Sequence, residues 1–300
     1  MVASKGFRPE GTFTALVTPM RADAERSLDL PALERLVEQQ IAGGIDGLVA
    51  CGTTGESVTL SEAEWATVIE STLRFARGRV PVIAGTGTNS TSKTIALSQK
   101  AAAMGVDALL VVTPYYNRPS QAGLLAHYRA VASAVSTPII LYNVPPRTGC
   151  NLLPATVAEL AAEPSIVAVK EAAGSLDQVL ELCRLVPAGF CVLSGEDALC
   201  VPSYAVGGHG VISVVSNPAP AHTAALYRDF RAGRIDAAAR GQQQLQPLIK
   251  ALFSEPNPQP AKAAMHLLGL MGADVRLPLV CATEPTTAVL ARELTALGLL

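Results

Sequence analysis

Lys170 closes the run Ile166-Val167-Ala168-Val169-Lys170-Glu171 and precedes Ala172-Ala173-Gly174-Ser175, so an amine ends an apolar, strand-like stretch. An ammonium carried out of a buried strand is poorly solvated. Desolvation disfavours the charged form, and a neutral amine can attack a carbonyl to give a Schiff base. The alternative is a lysine that caps its strand and pairs with a carboxylate. Three tyrosines also lie where apolar runs end, Tyr115 and Tyr116 after one and Tyr142 at the end of another, in a chain with 4% aromatic residues. Phenol groups can relay protons, with the hydroxyl of Thr53 as a bridge. Arg147, within Pro145-Pro146-Arg147-Thr148-Gly149, offers a planar fork for a substrate carboxylate; otherwise it is a surface arginine that braces its loop.

The segment Cys51-Gly52-Thr53-Thr54-Gly55-Glu56-Ser57 reads as a tight turn whose N–H groups and hydroxyls can converge on a carboxylate or oxyanion. No Gly-Lys-Ser/Thr follows it, and Gly85-Thr86-Gly87-Thr88-Asn89 lacks the third glycine of a dinucleotide fingerprint. Ser194-Gly195-Glu196-Asp197 and Gly208-His209-Gly210-Val211-Ile212-Ser213 end two further runs with small residues that leave room for a ligand. His209, flanked by glycines, reads as a loop residue rather than a base. The four histidines and six cysteines show no zinc or 2-His-carboxylate spacing, so the expectation is no metal and reduced, mostly buried thiols.

These groups need a scaffold. Eight short runs rich in Val, Ile and Leu (13–18, 47–50, 80–85, 108–112, 138–143, 166–170, 190–195 and 210–213) are nearly continuous in apolar character, as expected of parallel strands covered on both faces. Helix punctuation lies between them. Ser61-Glu62-Ala63-Glu64 and Ser175-Leu176-Asp177-Gln178 fit capping boxes, and Gly43-Gly44 and Gly105 stand where left-handed C-caps are expected. The pattern predicts an α/β fold, a (β/α)8 TIM barrel over 1–232 with a C-terminal helical extension over 233–300. That extension reads as three helices split by Glu255-Pro256-Asn257-Pro258-Gln259-Pro260 and by Leu277-Pro278. In such a barrel the active site lies at the C-terminal strand edge, which is where every candidate above falls. The 300 residues are 49% hydrophobic with a net charge of -2, which suits a large core and gives no field for a nucleic-acid or membrane partner. The first ten residues hold no apolar run of leader length, and a cytoplasmic location is expected.

Taken together, Gly52-Thr53-Thr54-Gly55-Glu56, Tyr142 to Gly149, Val169-Lys170-Glu171-Ala172, Gly207 to Ser213 and the Glu255-Pro256-Asn257-Pro258 loop resemble the family of dihydrodipicolinate synthase and N-acetylneuraminate lyase. The resemblance runs along almost the whole chain. It implies a pyruvate-dependent class I aldolase, without cofactor, on a (β/α)8 barrel, usually a homotetramer built as a dimer of dimers. Lys170 would form the Schiff base with pyruvate. Tyr142 would be the central proton donor and acceptor, with Thr53 and Tyr116 completing the relay and Tyr116 coming from the dimer partner. Thr54 and Ile212 would contact the pyruvate-derived part, beside Gly195. The Pro-Pro-Arg-Thr-Gly loop points to the branch that condenses pyruvate with L-aspartate 4-semialdehyde, at the opening of lysine and diaminopimelate synthesis, with Arg147 on the aldehyde's carboxylate. The alternative is a lyase of a keto-deoxy sugar acid or sialic acid. Members inhibited by lysine typically carry an acid and histidines where this chain has Lys93, Glu62 and Trp65, so weak or absent lysine feedback is expected.

Overall fold

The computed structural model describes residues 6–300; the opening residues 1–5, part of the stretch read as lacking a leader, lie outside the described residues. Eight strands, β1 (Gly11–Ala15), β2 (Gly47–Ala50), β3 (Val82–Gly85), β4 (Ala108–Val112), β5 (Ile139–Asn143), β6 (Ile166–Glu171), β7 (Cys191–Ser194) and β8 (Gly210–Ser213), follow one another around a closed barrel in chain order. All eight expected runs are strands. Nearly every strand residue is buried, which accounts for the continuous apolar runs.

Among the described residues twelve α-helices accompany them: α1 (Leu30–Ala42), α2 (Glu62–Ala76), α3 (Thr91–Met104), α4 (Gln121–Ala134), α5 (Pro145–Thr148), α6 (Pro154–Leu160), α7 (Leu176–Leu185), α8 (Cys200–Ala205), α9 (Pro220–Arg231), α10 (Ile235–Leu252), α11 (Gln259–Leu267) and α12 (Glu284–Ala296). The last three are the expected C-terminal helices. Ser61 makes the full capping box: its hydroxyl accepts the Glu64 N–H, and the Glu64 carboxylate accepts the Ser61 N–H. Ser175 makes only half of one. Its hydroxyl accepts the Gln178 N–H at 3.2 Å, but the Gln178 amide turns inward to Glu171 and Asn151. A buried carboxylate competes better for that amide than a solvated backbone N–H does. Gly44 and Gly105 take left-handed φ values of 76° and 86° at their helix ends.

The chain divides into two compact units. In the first, which runs from Val82 to Ile212 with the segment up to Gly11, β3 to β8 pair in parallel and in sequence. The register places Tyr142 beside Lys170 and Asn143 beside Glu171. In the second, Thr12–Pro81 with Ser213–Leu300, β1 pairs with β2. Strand β1 starts and ends two or three residues earlier than its apolar run suggested. Beyond Leu16, whose N–H still reaches the Val49 carbonyl at 3.0 Å, the ladder is replaced by side chains: Asn217 accepts the Val17 N–H at 3.1 Å and donates to the Ala15 carbonyl at 2.9 Å, while Gln40 donates to the Asn217 carbonyl. In the same unit α10 packs along α9 and α12, so the extension closes over the second unit's own helices.

Candidate active site

Side chains alternate across a strand, and β6 shows which face Lys170 uses. Its neighbour Glu171 points into the helical layer, where its carboxylate accepts Nδ2–H of Asn143, Nε2–H of Gln178 on α7 and the Ala173 N–H. Lys170 therefore leaves the opposite face, away from the helices, beside Tyr142. Its Nζ stands 4.3 Å from the centre of the Tyr142 ring. Lys170 is 6% and Tyr142 7% exposed, and among the described residues no carboxylate lies within ion-pair distance of the amine. The strand-capping, ion-paired alternative therefore has no support. Burial pushes the Glu171 carboxyl above the usual range, although its three donors oppose this.

Gly195 follows β7 on the same side. A Cβ at this position would come within 3.0 Å of Lys170 Cε and 2.6 Å of Ala172 Cβ, so the missing side chain is the space that the lysine stem occupies. Glu196, next along, was not singled out from sequence. Burial raises its carboxyl, Asp197 adds to the rise, and the Lys170 and Arg147 charges pull against it. Arg147 lies in the short α5, exposed, with no carboxylate within ion-pair distance among the described residues; its fork is open to a ligand. Tyr116 follows β4 with φ 72° and is 89% exposed. Its hydroxyl is not drawn into this unit's own core beside Tyr142. Ile212 in β8 is fully buried.

The threonine turn belongs to the second unit. Cys51 and Glu56 bracket it with left-handed φ values of 55° and 53°, a conformation that costs about 1–2 kcal/mol per non-glycine residue and persists only where surroundings enforce it. Thr18 Oγ1 donates to the Gly55 carbonyl at 2.7 Å. The Glu56 carboxylate is fixed by Lys262 Nζ at 2.5 Å, with both side chains buried, and by the Arg276 N–H at 3.0 Å. Burial pulls the Lys262 ammonium down while Glu56 supports it. Asn257 Nδ2 donates to Thr54 Oγ1 at 2.9 Å. Thr53 is half-buried and Thr54 buried. The loop carrying Asn257 is legible in the sequence, but its role is not: only folding brings residue 257 onto residue 54.

Glu10, Cys191 and His209 place one ligand atom each within 4.8 Å of one another. The Arg8 guanidinium already pairs with Glu10 at 2.5 Å, and His209 Nδ1 accepts the Val192 N–H at 3.2 Å. The cluster thus holds an internal cation, and His209 ties β7 to β8 as a structural residue.

The sequence model of the Dihydrodipicolinate synthetase family matches residues 8–297. The chain is 50% identical over 291 residues, 97% of its length and 99% of the relative's, to 4-hydroxy-tetrahydrodipicolinate synthase of Syntrophus aciditrophicus. Among solved structures it superposes on dihydrodipicolinate synthase from Thermotoga maritima with a TM-score of 0.95 and 43% identity, covering 97% of this chain and 99% of that one. A chloride-inhibited dihydrodipicolinate synthase from Acinetobacter baumannii, complexed with pyruvate, matches with a TM-score of 0.94 and 40% identity over 97% and 99% of the two chains. With nearly the whole chain matched by the family's model, this chain belongs to the dihydrodipicolinate synthetase family.

Proposed function

We propose that Lys170 forms the Schiff base through which the chain condenses pyruvate with L-aspartate 4-semialdehyde. The activity is that of a 4-hydroxy-tetrahydrodipicolinate synthase, a lyase of class I aldolase type in lysine and diaminopimelate synthesis, in keeping with the curated relatives. The observation that carries the role of Lys170 is a buried amine, free of any carboxylate partner among the described residues, held 4.3 Å from the centre of the Tyr142 ring.

The amine attacks C2 of pyruvate, and loss of water leaves a protonated imine. The imine draws electrons from the methyl group, C3 loses a proton, and the enamine attacks the aldehyde carbon of the second substrate. Tyr142, bridged by Thr53 to Tyr116, moves the protons that these steps release and require. Thr54 and Ile212 contact the pyruvate-derived part, beside Gly195, and Arg147 receives the aldehyde's carboxylate. The exposed Tyr116 supports a relay completed by a second copy, within a homotetramer built from dimers. No helix among the described residues is long and apolar enough to cross a membrane, which fits a cytoplasmic enzyme. The division at residue 232 keeps α1 to α9 with the barrel and α10 to α12 as the extension.

Borohydride reduction in the presence of pyruvate, followed by peptide mapping, tests the reading. The expected result is an adduct on Lys170, absent from Lys170→Ala, with turnover of aspartate semialdehyde lowered on the order of 10³-fold or more in that variant. An adduct elsewhere would overturn the assignment of Lys170. An adduct on Lys170 without turnover of this aldehyde would move the acceptor to a keto-sugar acid partner.

A further inference from the structure

We infer that Asn257 is a positioning residue that sets the hydrogen-bond polarity of Thr54, holding its hydroxyl as a donor toward the substrate carboxylate. This rests on the proposed contact between Thr54 and the pyruvate-derived part. Asn257 is 7% exposed, and its Nδ2 donates to Thr54 Oγ1 at 2.9 Å. Among the described residues this is the only hydrogen bond either side chain makes, and Asn257 Oδ1 is buried without a partner. A residue placed there merely to fill space would not bury an unsatisfied amide oxygen.

A hydroxyl that accepts one hydrogen bond keeps its own hydrogen free, whereas an ionised carboxylate only accepts. With Asn257 supplying a donor, the Thr54 hydrogen cannot be spent on the protein and must turn elsewhere. Were residue 257 an acceptor, that hydrogen would be consumed internally and lone pairs would face the carboxylate. The turn does not depend on Asn257 for its shape, because Thr18, Lys262 and the Arg276 N–H hold Gly55 and Glu56. The C-terminal extension therefore contributes to carboxylate recognition through one side chain, separately from bracing the turn.

Steady-state kinetics on the full chain with Asn257→Asp, Asn257→Ala, Thr54→Val and the Thr54→Val/Asn257→Ala pair test this. Asn257→Asp reverses the bond and is expected to raise KM for pyruvate about tenfold or more, the factor of a lost charge-assisted hydrogen bond. Its kcat stays within about threefold and KM for the aldehyde is unchanged, a split that general loosening of the site would not give. Asn257→Ala raises pyruvate KM in the parent chain but adds nothing in Thr54→Val. This comparison decides the matter even if Asn257→Asp does not fold. An unchanged pyruvate KM in Asn257→Asp, or an Asn257→Ala effect that persists without the Thr54 hydroxyl, overturns the role of Asn257 while Thr54 keeps its contact. A wild-type pyruvate KM in Thr54→Val sinks the Thr54 contact itself, and the inference with it.

Discussion

At the scale of single residues, the proposed Schiff-base site depends on one amine having room to move and, among the described residues, no carboxylate within ion-pair distance. Lys170 owes the first to Gly195 and the second to the alternation of β6, which sends Glu171 to the helices and its own stem the other way. Gly195→Ala places a methyl group within 3.0 Å of Lys170 Cε. Displacing a reacting group by a fraction of an ångström is expensive in rate. The expected outcome is a fall in kcat of about 10- to 100-fold, with a lowered thermal midpoint as well, because the same methyl group would lie 2.6 Å from Ala172 Cβ and overpack the strand ends. Unchanged rates of pyruvate-dependent borohydride trapping and of turnover would show that the stem does not need this space. The amine, the ring and Arg147 were all legible as residue types at strand ends. Asn257 was not, because a hydrogen bond across 203 positions leaves no trace in local sequence.

At the scale of elements, α3 and α4 of the first unit meet through a histidine. His127 on α4 is buried, with Nδ1 at 3.0 Å from the hydroxyl of Thr91 on α3. Burial lowers its pKa to about 4, against about 6.5 in an unfolded chain. Between these values the unfolded chain binds a proton that the folded chain does not, so stability falls as pH drops from about 6.5 toward 4. The loss is on the order of 2–3 kcal/mol. Urea midpoints at pH 7 and pH 4.5 should therefore lie closer together in His127→Gln than in the parent. An equal spacing would mean that another group sets the acid limit. Capping chemistry was legible at α2 from Ser61 and Glu64 alone. It misled at α7, where Gln178 had a buried carboxylate to serve, and burial is not visible in a four-residue motif.

At the scale of the whole molecule, an 89% exposed Tyr116 carries the proposal that each relay is completed by a second chain. Lys170→Ala and Tyr116→Phe homomers should both be poorly active, whereas mixed dimers regain one site with both groups intact. Activity recovered on mixing, up to about a quarter of the parent's at full random exchange of equal amounts, is expected, because half of the dimers are mixed and each of these has one intact site of two; none at any ratio would place the relay within one chain. Lysine regulation belongs to this scale as well. Lys93 is exposed in the first turn of α3, and Trp65 is buried in α2. A cation in that turn repels the effector's ammonium groups, so millimolar lysine should leave the steady-state rate nearly unchanged. Strong inhibition would show that other residues bind it.

By itself the sequence determined the eight-strand alternation, the closed parallel barrel it implies, the three C-terminal helices and the strand ends that carry Lys170, Tyr142, Arg147 and the threonine turn. These follow from period, punctuation and residue type, which are local properties. Tertiary structure alone decided which face Lys170 takes, that no carboxylate among the described residues meets it, that Gly195 makes way for its stem, and that Lys262, through Glu56, and Asn257, through Thr54, reach a turn some two hundred residues away. Those outcomes depend on burial and on side-chain distances between remote segments, and only the closed chain fixes either.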